Sequence, residues 1–556
     1  MNRRLWKIKE LSPKAKDLAT THGLSVYLIQ VFLNRGISEK EFKVFLDPKL
    51  ANFHSPFLLP DIKKAVARIK QAVKRNEKVL VYGDYDVDGI TSLAIFHEFA
   101  KEFPKVFSFY IPHRIKEGYG LNQEAILRAK EEKVSLIIAF DCGTAAFEEV
   151  ELAKSSKIDV IIVDHHHSGE RRVKPLAFIN PRRKDSKYPF RDLSAAALSF
   201  KLLQALTGSL PKKVLDLVAL SLVCDVVPLL GENRALLIEG LTVIRRSPRL
   251  AIKALCQSGS IKQENINTFH IGYILGPRIN AAGRVAHARE SLELFLTGDE
   301  DRAYELVSKL SEYNKLRRAI EAQILKEAEQ RIKDNRSDEQ AIIVSGDDWH
   351  PGVLGIVASR LVKKYYRPSF VFSFNRNAGK GSARSVENVH LIEILDKCAD
   401  SLLIYGGHSK AAGVEIEREQ LENFREKINA SIKKDLCPQD LVPTIEIDAF
   451  LDFEAIDINL TEGLERLKPY GEGNSKPLFA AYNISKKDLP KKINSYHSLW
   501  LNDQGRTFEG IVYDKNILEI IGSADSFDIV FSLQMNYYHN IPQLIIRDCR
   551  LSEGEG

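Results

Sequence analysis

Residues 79–92 read VLVYGDYDVDGITS, a short apolar run followed by three alternating aspartates and a helix-like segment. The apolar run is typical of a buried strand, so Asp84, Asp86 and Asp88 emerge at its carboxyl end. In an open α/β sheet, ligands bind in the crevice outside the carboxyl ends of the strands. Three crowded carboxylates repel one another, so this stretch predicts a cation site at the edge of such a sheet.

The pattern D-x-D-x-D-G also begins the calcium loop of an EF-hand, which requires a Glu at its twelfth position and a preceding helix. Here the twelfth position is Ile95 and the preceding run is strand-like, so an EF-hand is excluded. A solvated acidic turn remains an alternative for this motif taken alone, because a single short motif has a real false-positive rate.

The chain after this motif alternates between helix-like and strand-like patterns, which predicts a mostly parallel sheet. Helices are predicted at 90–103, 123–132 and 145–155, and strands at 106–111, 135–140 and 158–163. Two of these strands end in polar residues, Asp141 in one case and Asp164-His165-His166-His167 in the other. Parallel strands end at a common sheet edge, so we expect these side chains to lie near Asp84–Asp88.

A further carboxylate, Asp225, lies within the apolar helix-like residues 214–229, VLDLVALSLVCDVVPL. Burying a carboxylate is costly unless it is paired or bound to a metal, which favours Asp225 as a ligand. Each residue has an alternative when taken alone: Asp141 as a helix N-cap, Asp225 as a capping or hydrogen-bonded core residue, and the histidines as a surface run. Carboxylates with one or two imidazoles suit Mn²⁺ or Mg²⁺ rather than structural zinc, and five or more carboxylates suggest two ions.

The composition is that of an ordinary globular protein, with 556 residues and 44% hydrophobic content, long enough for three or four domains. The formal net charge of +6 permits a polyanionic partner without demonstrating one. Six cysteines lie far apart without a C-x-x-C pair, which argues against a zinc knuckle or a disulfide framework. The N-terminus lacks a signal-peptide pattern and no apolar run approaches a membrane span, so we expect a cytoplasmic protein without a membrane partner.

The four segments GDYDVDG, DCG, DHH and the later Asp225 resemble, in order, the motifs of the DHH phosphoesterase superfamily. The resemblance implies a two-metal centre that hydrolyses phosphoester or phosphoanhydride bonds. It implies as metal ligands Asp84, Asp86, Asp88, Asp141, His165 and Asp225. Asp84 is implied either as a metal ligand or as a group that supports the ligands. The implied catalytic groups are Asp84, Asp164 and His166, of which His166 contacts the phosphate. Tyr82 stands where some relatives carry a histidine.

Further motifs follow the sheet. The segment LGPRINAAGR, residues 275–284, leaves little room for regular structure, and a polar helix is predicted at 300–334. A second α/β unit contains the glycine-dense segments GKGSARS (379–385) and YGGHSKAAG (405–413), and neither fits a Walker loop. These segments resemble parts of RecJ-type nucleases and of the DHH-associated domain, which implies as DNA and 5′-phosphate ligands Arg278, Asn280, Arg284, Ser382, Arg384 and His408.

The last part of the chain changes to strand-like runs separated by turns, which predicts a small antiparallel barrel. The predicted fold is therefore α/β: a mostly parallel DHH lobe, a connecting helix, a second α/β lobe and a C-terminal OB-like barrel. The expected boundaries are 1–61 (helical cap), 62–299 (metal-binding domain), 300–334 (connector), 335–437 (DHH-associated domain) and 442–556 (barrel).

This domain order resembles that of RecJ-type nucleases. The resemblance implies a single-strand-specific 5′→3′ exodeoxyribonuclease of DNA repair and recombination, with two divalent cations, Mn²⁺ preferred or Mg²⁺. It implies single-stranded DNA as substrate, with a single-strand-binding protein and a helicase as partners. The alternative is a DHH phosphodiesterase for small substrates, of the nanoRNase or cyclic-dinucleotide type; the extra barrel and connector argue against it.

Overall fold

The computed structural model describes residues 4–50, 53–167, 169, 173–246, 248–334 and 339–552. The chain divides into two compact units, one formed mainly by 54–225 and 239–443 and the other by 4–53, 226–238 and 444–556. Among the helices of the described residues, none combines the length and the apolar character needed to cross a membrane.

The first N-terminal elements belong to the second unit. They are β1 (Leu5–Ile8), α1 (Pro13–His22), α2 (Val26–Asn34) and α3 (Phe42–Leu46). Their apolar side chains share one core with residues of the C-terminal barrel, including Phe32 of α2 and Phe531. The expected N-terminal cap is therefore packed into the same core as the barrel. Nothing in the local sequence pattern indicates a contact between segments more than 400 residues apart.

The first sheet carries the aspartate motif. Its elements are α4 (Ile62–Arg75), β2 (Val79–Gly83), α5 (Val87–Ala100), β3 (Phe107–Tyr110), α6 (Gln123–Glu131), β4 (Leu136–Phe140), α7 (Phe147–Ser155), β5 (Asp159–Val163) and β6 (Ala177–Ile179). The strand order is β3-β2-β4-β5-β6 and every pairing is parallel, as predicted. Gly83 pairs with Phe140 and Phe140 with Val163, so β2, β4 and β5 end level with one another.

Helices follow this sheet. They are α8 (Ala195–Thr207), α9 (Leu215–Cys224), α10 (Gly231–Arg246), α11 (Leu250–Ser258), α12 (Thr268–His270), α13 (Gly276–Val285), α14 (Arg289–Leu296) and α15 (Glu300–Asp334). A π-helical turn, Ile271–Leu275, joins α12 to α13. The expectation of irregular structure for residues 275–284 is wrong, because α13 is a helix. Its small residues allow close packing: a Cβ on Gly283 would lie 2.7 Å from the Tyr85 carbonyl oxygen.

The second sheet contains the glycine-dense segments. Its elements are β7 (Ile342–Asp347), α16 (Leu354–Tyr365), β8 (Ser369–Asn375), β9 (Ala378–Arg384), α17 (Leu391–Asp396), β10 (Ile404–Gly407), β11 (Ala411–Glu417) and α18 (Leu421–Asp435). The strand order is β10-β11-β9-β8-β7, in which β7 and β8 are parallel and the other pairs antiparallel.

The C-terminal elements complete the second unit. They are β12 (Thr444–Ile447), β13 (Ala449–Phe450), α19 (Ile458–Glu465), β14 (Phe479–Lys486), β15 (Lys491–Ile493), β16 (Tyr496–Asp503), β17 (Arg506–Val512), α20 (Lys515–Ser523), β18 (Ser526–Asn536) and β19 (Ile541–Leu551). Pairing runs β14-β18-β19-β17-β16 and returns from β16 to β14, which closes a five-stranded barrel. The predicted fold class is confirmed.

Arg234 of α10 is fully buried and holds the second unit together without a carboxylate partner in the described residues. Its guanidinium donates to the carbonyl oxygens of Phe45 (2.8 Å), Leu467 (2.9 Å), Arg466 (3.1 Å) and Lys468 (2.7 Å). Burial, followed by the charge of Arg35, lowers its pKa to about 10. A single side chain thus satisfies carbonyl groups from segments that are far apart in the sequence.

We expect Arg234→Met to lower the free energy of unfolding by on the order of 3 kcal/mol, because buried carbonyl groups would lose their donors. The measurement is urea unfolding followed by tryptophan fluorescence. Lys468→Met serves as the control, since that ammonium is half exposed and pairs with Glu465. A change in Arg234→Met as small as that of the control would contradict this role for Arg234.

Candidate metal centre

Three aspartates follow three neighbouring strands at one sheet edge. Asp84 follows β2, Asp141 follows β4 and Asp164 follows β5, and all three are at most 3% exposed. Asp141 adopts a left-handed backbone with φ of 60°, which aspartate tolerates better than most residues. The level strand ends therefore bring together carboxylates that are up to 80 residues apart in the sequence.

The start of α5 is packed tightly against Asp84. Asp86 caps this helix by accepting hydrogen bonds from the N–H groups of Asp88 (2.9 Å) and Gly89 (3.2 Å). A Cβ on Gly89 would lie 2.5 Å from the Asp84 carbonyl oxygen and 2.6 Å from its amide nitrogen. Only glycine fits here without moving the backbone that carries the carboxylates.

Three overlapping groups of side chains offer ligand atoms within 4.8 Å of one another. They are Asp84–Asp86–Asp141, Asp88–His165–Asp225 and Asp141–Asp164–His165–His166. His165 lies at the centre: its Nε2 is 3.4 Å from an Asp141 carboxylate oxygen, 3.6 Å from one of Asp225 and 3.7 Å from one of Asp88. The structure thus brings together every residue that the sequence suggests as a metal ligand.

Several of these buried atoms have no hydrogen-bond partner among the described residues. They are one carboxylate oxygen of Asp84, one of Asp225, and both ring nitrogens of His165. Burial first, and then neighbouring carboxylates, raise the pKa of Asp84, Asp141 and Asp225. Unpaired buried polar atoms are costly, and divalent cations satisfy both the lone pairs and the negative charge. The residues therefore fit hard or borderline cations held by carboxylates and imidazole.

Asp88 is held differently from the other carboxylates. Its oxygens accept hydrogen bonds from Ala195 N (2.8 Å) and Ala196 N (2.8 Å) at the start of α8, and from Ser221 Oγ (2.6 Å). The helix N-terminus favours the negative charge, although burial and the charge of Asp86 together raise the pKa of Asp88 to about 6. Its orientation is thus fixed before any cation binds.

Asp164 holds His166. The Asp164 carboxylate accepts hydrogen bonds from His166 Nδ1 (2.7 Å), from the N–H groups of His165 (2.7 Å) and His166 (3.2 Å), and from Thr144 N (3.0 Å). Burial lowers the pKa of His166, but the charge and hydrogen bond of Asp164 outweigh it and raise the pKa to about 9. Asp164 therefore orients the His166 ring and favours its protonated form, which can donate to a phosphate oxygen.

Tyr82, in β2, uses its hydroxyl in hydrogen bonds to the segment before α6. Its hydroxyl donates to Gly120 O (2.8 Å) and accepts from Asn122 Nδ2 (3.0 Å). The side chain is fully buried and its ring lies against Tyr110. The Tyr82 hydroxyl is thus occupied by hydrogen bonds to a neighbouring loop.

An arginine cluster lies beside the centre. Arg384 donates to Ser382 Oγ (3.1 Å), and a Cβ on Gly355, in the first turn of α16, would lie 2.8 Å from Arg384 Nη2. Burial and then Arg114 lower the pKa of both Arg384 and Arg284, the latter to about 10. Arg384 and Ser382 lie against the start of α16, and Arg114 and Arg284 are charged neighbours, an arrangement suited to an anion.

The other suggested DNA ligands have different surroundings. Asn280 accepts a hydrogen bond from Val87 N (2.9 Å) and so anchors the start of α5. Arg278 donates to Ile274 O (2.6 Å), and its role in phosphate binding stays a prediction. His408 lines a cavity of about 330 Å³ together with His166, His167 and Thr144, and burial followed by the charge of His166 lowers its pKa.

Sequence reasoning missed two arginines. Arg114 lies near Asp84 and stacks over the Tyr85 ring at 4.8 Å. Arg182 is an electrostatic neighbour of Asp225 and His408. Arg114 follows β3 and Arg182 follows β6, so the rule of polar residues at strand ends, applied to every strand, would have found both.

Comparisons with known proteins agree with this geometry. Family models match the DHH family N-terminal domain at 78–222, the DHHA1 domain at 338–434 and the RecJ OB domain at 447–548. The chain is 35% identical over 559 residues to the single-stranded-DNA-specific exonuclease RecJ of Bacillus subtilis, covering 99% of this chain and 71% of that protein.

Two crystal structures of RecJ from Thermus thermophilus are also similar. The complex with Mn²⁺ has a TM-score of 0.84 and 26% identity, covering 99% of this chain and 80% of that one. The complex with Mg²⁺ has a TM-score of 0.79 and 25% identity, covering 99% and 79%. With all three domains matched in order, this chain belongs to the RecJ family.

Proposed function

We propose that this chain is a metal-dependent exonuclease specific for single-stranded DNA, which hydrolyses phosphodiester bonds from the 5′ end in DNA repair and recombination. The observation that carries the proposal is the arginine cluster of Arg114, Arg284 and Arg384 beside the carboxylate and histidine groups of the metal centre. A hydrolytic centre next to an anion pocket can cut a strand whose terminal phosphate is held in that pocket.

The residues of the site have different roles in the proposed reaction. Two Mn²⁺ or Mg²⁺ ions, held by Asp84, Asp86, Asp88, Asp141, His165 and Asp225, would supply an activated water and stabilise the leaving oxygen. The His166 imidazolium donates to the phosphate that is cut, and Asp164 keeps that ring in place. Burial excludes water from most of the carboxylates, which strengthens each of these electrostatic contacts.

Direction of attack is a property of end recognition, because a metal centre by itself can cut from either end. A terminal phosphate carries more negative charge than an internal phosphodiester, and arginine with a hydroxyl donor favours it by charge-assisted hydrogen bonds. Arg384 with Ser382, supported by Arg114 and Arg284, is the proposed 5′-phosphate pocket.

The test of the function uses oligonucleotides labelled at the 5′ or the 3′ end, single-stranded or annealed, with Mn²⁺, Mg²⁺ or EDTA. We expect metal-dependent release of mononucleotides from the 5′ end of single strands only. Cleavage confined to dinucleotides would instead favour a small-substrate phosphodiesterase. For the cell, we propose a cytoplasmic location and cooperation with a helicase and a single-strand-binding protein, which would supply and hold the unpaired strand.

We expect Arg384→Ala to reduce the rate advantage of 5′-phosphorylated over 5′-hydroxyl strands by about 10- to 100-fold, the worth of one charge-assisted contact. Initial rates for both substrates measure this ratio. Lys380→Ala is the matched control, because that side chain lies on the same strand, is largely exposed and pairs with Glu415. An unchanged ratio in Arg384→Ala would mean that the 5′ end is read elsewhere.

A further inference from the structure

Two stacked aromatic rings lie at the surface of the helix that leads into α13. The Phe269 and Tyr273 ring centroids are 5.1 Å apart with an interplanar angle of 28°. Phe269 is 58% exposed and Tyr273 is 75% exposed. Ile271, which lies between them in the sequence, and Leu275, which follows them, are buried. The π-helical turn anchors its apolar side chains in the core and leaves the two rings outside. A stacked exposed pair is not needed for that core, so it calls for another explanation.

This helical turn packs against the end of α9, next to the metal centre. A Cβ on Gly272 would contact Val223 Cγ1 at 3.4 Å, and one on Gly276 would lie 2.5 Å from Cys224 Sγ. The next residue, Asp225, belongs to the ligand groups around His165. Gly276, about one helical turn after Tyr273, therefore packs against Cys224, the residue that precedes Asp225.

Two arginines close to this helical segment have no carboxylate partner among the described residues. Arg278, one turn further along, donates to Ile274 O at 2.6 Å, and its Nε is buried without a partner in the described chain. Burial, and then the nearby charge of Arg318 on α15, lower the pKa of Arg278. No carboxylate lies within ion-pair distance of Arg278 or Arg318 among the residues that the structure describes. Arg317, next to Arg318, is in turn an electrostatic neighbour of Arg284.

We propose that Phe269 and Tyr273 form a stacking platform for unpaired bases of the substrate strand, with Arg278 and Arg318 binding the adjoining phosphates. The inference rests on the proposed single-strand nuclease activity and adds a contact outside both the metal centre and the barrel. Flat aromatic faces accept any base, and the bases of a duplex are not free to stack on them. Arginines without a carboxylate partner among the described residues complement phosphates rather than an apolar or basic protein surface. This combination selects single-stranded nucleic acid as the occupant.

The first test is binding in EDTA, where hydrolysis does not interfere. The double variant Phe269→Leu/Tyr273→Leu keeps the apolar character and removes the ring faces. For a 3′-labelled strand of about 20 nucleotides, we expect its Kd to rise about 5- to 100-fold, the worth of one or two stacked bases. The double variant Phe269→Trp/Tyr273→Trp should bind close to the unchanged protein. Phe57→Leu, at another half-exposed aromatic residue, is the control and should leave Kd unchanged.

The second test locates the contact directly. A strand carrying 5-iodouracil is irradiated with the full chain in EDTA, and the cross-linked peptides are mapped by mass spectrometry. Cross-links at Phe269 or Tyr273 support the platform, even if the chain fails to cleave single strands and the proposed function is lost. The chain could instead cleave single strands but show no cross-link at these residues and an unchanged Kd in the Leu variant. That result would overturn the platform and leave the proposed function standing.

Discussion

Asp141→Asn is expected to lower the hydrolysis rate by about 10³-fold or more, since it removes a charged ligand atom from the groups around both Asp84 and His165. Asparagine is the informative substitution, because it tolerates the φ of 60° found at this position, whereas alanine would add backbone strain. Single-turnover cleavage of a labelled single strand in Mn²⁺ measures the loss.

The same variant should not be destabilised in the absence of metal. Burial and neighbouring carboxylates raise the pKa of Asp141, so its ionised form at neutral pH opposes folding, and a neutral amide removes this repulsion. We expect the Tm in EDTA to be unchanged or higher and the Tm increase caused by Mn²⁺ to be smaller. Asp299→Asn is the matched control, since Asp299 caps α15 at the surface and asparagine also caps helices. Cleavage by Asp141→Asn at the rate of this control would contradict the metal assignment.

Gly89→Ala is expected to reduce hydrolysis by about 100-fold without changing any side chain that binds metal or substrate. The added Cβ would lie 2.5 to 2.8 Å from the Asp84 backbone, which is not free to yield as a flexible side chain would. The strand end that carries the carboxylates must shift, and displacements near 1 Å are enough for losses of about this size. Overpacking also costs about 1–3 kcal/mol of stability.

The rate per folded molecule separates these effects, so activity is compared at a temperature where circular dichroism shows the variant to be folded. Weaker Mn²⁺ affinity, measured by calorimetry, should accompany the lost rate. Gly298→Ala is the control, because a Cβ there meets no atom within 4 Å. If Gly89→Ala kept full activity and Mn²⁺ affinity, the close packing of α5 on Asp84 would not position the centre.

The sequence by itself determined the sheet and most of the metal centre. Apolar strand-like runs and their spacing specify β2, β4 and β5, and parallel strands must end at a common edge. The pattern of residues alone therefore places Asp84, Asp141 and Asp164 together. Their negative charge is a property of the residue type, and their position directly after buried strands predicts that they lie close together.

Only the tertiary structure decided which groups those carboxylates and arginines meet. The hydrogen bonds from α8 to Asp88, the proximity of Arg114 to Arg384, and the core shared by residues 15–45 and 449–549 join segments distant in sequence. Such contacts depend on how helices and sheets pack, and a local pattern carries no information on that packing. For the same reason, residues 275–284 looked irregular in sequence: their glycines and alanines are poor evidence for a helix until a neighbouring element requires small residues at close approach.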